Sequence, residues 1–121
     1  MRSISTGLVC AFVCGAAMAM PAETSFLKEN DAAMTRMMHG MAIRPSGDVD
    51  ADFAAMMIPH HQGAIDMAVA ELRHGRNEQL KRIAQEIIVD QQQEIAAMRL
   101  ALGQKPPAPM PAPTMSGSVM R

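Results

Sequence analysis

The chain contains no tryptophan, no tyrosine and only three phenylalanines in 121 residues. That excludes the aromatic platforms on which single-stranded nucleic acids stack. Eleven Lys and Arg against twelve Asp and Glu leave a formal charge of −1. The basic residues are scattered, so no cationic footprint for a nucleic acid is present. No stretch is apolar for long enough to span a bilayer. No β-rich run, internal repeat or phosphate-cradling glycine loop occurs, and no Ser/His/Asp, Cys/His or paired-carboxylate arrangement stands out. The length bounds one small domain.

Cysteine is nearly absent too. Cys10 and Cys14 are the only two, and both fall in the opening MRSISTGLVCAFVCGAAMAM. Arg2 gives this segment a positive start, Gly7 to Ala17 is a short apolar run, and Ala17-Met18-Ala19 fits small-x-small cleavage. Residues 1–19 therefore read as a secretory signal peptide cut after Ala19, which predicts a periplasmic or secreted protein with no membrane span after cleavage. Val9 and Val13 precede the cysteines, against a lipoprotein start. The chain that remains has no thiol. It can form no disulfide, and a metal site in it must draw on His, Met, Asp, Glu or Gln.

Methionine is what the chain has in excess, at fourteen residues. Three lie in Met56-Met57-Ile58-Pro59-His60-His61-Gln62-Gly63-Ala64-Ile65-Asp66-Met67-Ala68, around two adjacent histidines. Thioether and imidazole are soft to borderline donors. Together they suit copper, and Cu(I) more than Cu(II), whereas zinc prefers His, Cys and carboxylate, and calcium and magnesium want oxygen. The thioether also has no proton to lose at low pH. The competing reading is plain packing, since Met at i, i+3, i+4 and i+7 is ordinarily core filler. A buried His is likewise more often hydrogen-bonded than metallated.

The spacing predicts three helices. The first covers Ser25 to Met41 with Thr24 as its cap, before the turn Arg44-Pro45-Ser46-Gly47-Asp48. The second starts near Asp50 and ends at His74 before Gly75, with a kink expected at Pro59. The third covers Glu78 to Leu102, between an Asn77 cap and Gly103. Each has one apolar stripe, the pattern of a small antiparallel three-helix bundle over residues 24–103. Residues 104–121 carry five of the eight prolines and read as an extended or disordered tail.

On the second helix, His60 and His61 straddle the stripe through Phe53, Met57, Ala64, Ala68 and Leu72, with Met67 at its edge. On the first, Met37, Met41 and Met34 share a face with Phe26 and Asn30, Met38 lies at the edge, and His39 points away. Asn30, His60, His61, Glu71, Gln91 and Glu94 interrupt the stripes, a costly burial unless they pair with one another or bind something. Glu71-x-x-His74 is one copy of the pair used in di-iron bundles, which need two such pairs and two further Glu.

Asp52-Phe53, the block Met57 to Ala68, and Ala84-x-x-Ile87-Ile88-x-x-Gln91-x-x-Glu94-Ile95-x-x-Met98 resemble the two halves of the DUF305 domain signature. The resemblance implies a ferritin-like, all-α fold and an exported protein that binds copper without catalysing a reaction, in copper homeostasis or tolerance. By matching position it implies metal ligation by Met57, His60, His61 and Met67 of the core motif. It extends this to Met37, Met38, His39 and Met41 of the upstream segment and to the closing Met98. A protein that hands copper on would have other copper-handling proteins as partners. The alternative is a metal-dependent redox enzyme of the same fold, a cuprous or di-iron oxidase. Three helices also leave apolar surface uncovered, so pairing with a second copy into a larger bundle is expected.

Overall fold

The computed structural model describes residues 21–106 and 108. The expected signal peptide and most of the Pro-rich tail lie outside the described residues. The fold is all-α, and among the described residues there are three helices and no strand: α1 (Ala22–Met41), α2 (Val49–His74) and α3 (Glu78–Ala101). No described helix is long and apolar enough to cross a membrane.

The caps follow local chemistry. Asp48, not Asp50, starts α2, its carboxylate accepting from the amides of Asp50 and Ala51 at 3.0 and 3.2 Å. Asp50 instead sits in the first turn, where its charge favours the positive end of the helix. Asn77 caps α3 as expected, accepting from Gln79 and Leu80. At the other end, Gly103 takes φ +70° and ends the helix. The first helix begins three residues before the expected Ser25, at Ala22, because Pro21 rather than Thr24 precedes it. Gly75 has φ −67°, an ordinary extended backbone. Its role is space: a Cβ there would collide with the Glu71 carboxylate.

Both α1 and α3 pack on α2, and among the described residues they do not pack on each other. The two seams differ. Between α2 and α3 lies the core of Ile65, Ala68, Ala84, Ile88 and Ile95, flanked by Ile58, Val69, Leu72 and Met98. The α1–α2 seam is built by close approach. A Cβ on Gly63 would stand 2.8 Å from Met37 Sδ, and one on Gly40 would stand 2.6 Å from Pro59 Cβ. Ion pairs Arg36–Asp66 at 2.9 Å and Arg73–Glu29 at 3.0 Å run along this seam. Their order, rising along α2 as it falls along α1, makes the two helices antiparallel.

The consequence is a deviation from the stripe pattern. On a helical wheel, Pro59 and Gly63 fall on the side of α2 away from Ile65 and Ala68. The outer helices thus flank α2 on opposite sides, and much of the apolar stripe between them stays open. Phe53 is 54% exposed, Leu80 51% and Ile83 44%.

Candidate metal-binding groove

The open stripe forms a groove of about 530 Å³ between α1 and α3, floored by α2. Met34 and Met37 of α1, and His60, Met67 and Glu71 of α2, line it, opposite Leu80, Ile83 and Ile87 of α3. Antiparallel packing sets this register. Gly63 lets Met37 lie directly against α2, between the turns that carry His60 and Met67. Three thioethers and one imidazole therefore share one concave, mostly apolar surface.

His61 points elsewhere. It is 8% exposed, and its Nε2 lies 2.6 Å from Glu94 Oε2 on α3. With the proton on Nε2, His61 donates to the carboxylate. Its Nδ1, buried and without a hydrogen-bond partner among the described residues, then keeps a free lone pair. A carboxylate behind one ring nitrogen and a bare lone pair on the other is the arrangement of a metal-binding histidine. The His60 and His61 rings stand 5.9 Å apart at 62°. The chain turns one into the groove and the other into the α2–α3 seam.

Among the nine sequence-derived candidates, the structure brings together Met37, His60 and Met67 on the groove, which His61 does not line. Met57 and Met41 are half-buried and do not line the groove. Met98 packs against the α2–α3 core. Met38 is 60% exposed, and His39 is exposed on α1 as its wheel position predicts. Met34 is not among the nine although it lines the groove; its position one turn before Met37 is the signal that points to it. The wheel places Glu94 inward, but a single-helix wheel carries no information about its partner 33 residues away.

A second polar cluster ties the far end of α1 to α2. Glu29 accepts from Arg73 Nη1 and His74 Nε2, each at 3.0 Å. The His74 hydrogen bond, helped to a lesser extent by Arg73, holds its carboxyl below the usual carboxylate range against the upward push of desolvation. Among the described residues, no group of three or more His, Cys, Asp or Glu could hold a metal ion. A carboxylate-bridged di-iron centre has no ligand set there.

No curated protein and no solved structure matches the chain. A family model described as a domain of unknown function, DUF305, matches residues 14–102. The three-helix body, with the Pro-His-His block on its central helix and Glu94 across from His61, belongs to the DUF305 family.

Proposed function

We propose that this is a non-enzymatic copper-binding protein of the periplasm that sequesters copper or hands it on, contributing to copper homeostasis or tolerance. The observation that carries the reading is the convergence of Met34, Met37, Met67 and His60 from two helices on one groove. Thioethers and a neutral imidazole bring no charge. They suit a monovalent soft ion, Cu(I), better than a hard divalent one. His61 supports the reading through its unpartnered Nδ1, and the chain beyond the proposed signal peptide carries no thiol that could serve instead.

The groove's openness lets an ion enter and leave, which fits buffering and transfer to other copper-handling proteins more than permanent storage. Its exposed rim also fits a second copy, whose helices would complete a four- or six-helix bundle. Sedimentation of a compact monomer at high concentration would sink that part.

The test is competition against a Cu(I) chelator, with wild type beside a His60→Ala/His61→Ala variant. Tight binding that the variant loses supports the site. Weak binding, equal in both proteins, returns the methionines to core filler and removes the metal claim.

A further inference from the structure

The α2–α3 pair carries a second groove on the face opposite His60, about 550 Å³ in volume. Ile58 and Ile65 of α2 and Val89 and Ile95 of α3 supply its apolar lining, and Gln92 and Arg99 its polar edge. One further residue reaches it from outside the helices, Ala108. The amide of Gln104 donates to Arg99 O at 2.8 Å, and Gly103 takes φ +70°. Beyond this turn Pro106 is half-buried and Ala108 lies on the groove.

We propose that this groove is the docking site of the chain's own next segment, Pro109-Met110-Pro111-Ala112-Pro113, in an extended polyproline conformation. Three arguments converge on that occupant. The first is position, because the chain is already on the groove at Ala108. The second is length. The α3 wall from Val89 to Arg99 runs about 15 Å at 1.5 Å per residue, and five residues of polyproline helix cover about the same distance at 3.1 Å each.

The third is hydrogen-bonding chemistry. Pro109, Pro111 and Pro113 have no N–H, so the segment is rich in acceptors and poor in donors. The groove is the complement. Arg99 lies on its edge, and its guanidinium carries donors only. A tail carbonyl would accept from it, while Met110 and the proline rings cover Ile65 and Ile95. The inference does not rest on the copper reading, since it concerns the other face.

The test uses the full chain with labelled Ile and Met methyl groups. Cross-relaxation is expected between the Met110 methyl and those of Ile65 or Ile95, unchanged on dilution. It should be lost in a Pro109→Gly/Pro111→Gly/Pro113→Gly variant and weakened in Arg99→Met. The methyl of Ile88, 1% exposed in the core, should keep its shift and report that the body is intact. Absence of these cross-peaks in the wild-type chain overturns the proposal. So does their disappearance on dilution, which would assign the groove to the tail of a neighbouring copy.

Discussion

His61 on α2 and Glu94 on α3 meet at 2.6 Å, and the pair is the polar contact that joins the two helices beside the His60 groove. Glu94 is held from behind only weakly, by Gln91 Nε2 at 3.5 Å, and its side chain is more than half exposed. It acts on His61 by fixing which nitrogen carries the proton and how the ring is turned. Removing the carboxylate frees both.

His61 does not line the groove, so Glu94→Ala tests whether its Nδ1 reaches the ion: a loss of Cu(I) affinity of about 10–100-fold, the usual loss for an orienting partner, would make His61 a ligand. Glu94→Gln keeps an acceptor oxygen and should lose much less. Chelator competition on the two variants gives the comparison. Equal affinity in wild type and Glu94→Ala would show that His61 is not a ligand.

The α1–α2 seam makes a separate claim. A Cβ at Gly63 would meet Met37 Sδ at 2.8 Å, Cβ at 2.9 Å and Cγ at 3.0 Å. The sulfur can swing away, but Met37 Cβ moves only with the α1 backbone. In a free helix, Gly→Ala stabilises by up to about 1 kcal/mol. Here overpacking costs about 1–3 kcal/mol, so Gly63→Ala should be destabilised on balance. Gly40→Ala, against Pro59, should behave the same way. Urea unfolding measures both, and a rise in midpoint for either would contradict the seam.

These two contacts mark the limit of what the chain discloses by itself. Three helices, the Asn77 cap and the stop at Gly103 are legible because apolar period and capping are local. So is the outward direction of His39. The choice of seam is not. Gly40 and Gly63 read as weak helix positions until another backbone lies against them, and only then does α1 move to the small-residue side of α2. That choice leaves Leu80 and Phe53 exposed although their stripes read as core. It also separates His60 from His61, which sit on one stripe in a wheel and in two environments in the fold.

The methionines can be tested apart from the fold. Met→Leu nearly conserves volume and costs less than about 1.5 kcal/mol at a packed site. Met34 and Met67 border an open groove away from the Gly63 contact, so a Met34→Leu/Met67→Leu variant should unfold close to wild type. Its Cu(I) affinity should nonetheless fall at least about tenfold, which corresponds to 1.4 kcal/mol. Retained affinity with retained stability would make these side chains filler and move the site elsewhere.

The Glu29 clamp sets a pH dependence at the opposite end of the α1–α2 seam. His74 first, then Arg73, lower the Glu29 carboxyl below its ordinary value of 4.5. A carboxyl that is harder to protonate when folded stabilises the folded state at pH above that ordinary value. The contribution is lost as pH falls through the lower, folded value, because protons then bind the unfolded chain preferentially. Glu29→Gln should melt below wild type at neutral pH, with the gap narrowing as the medium is made acid. Thermal unfolding of both proteins across that range decides it. A gap that stays constant, or widens in acid, would mean that Glu29 contributes through packing rather than through its charge.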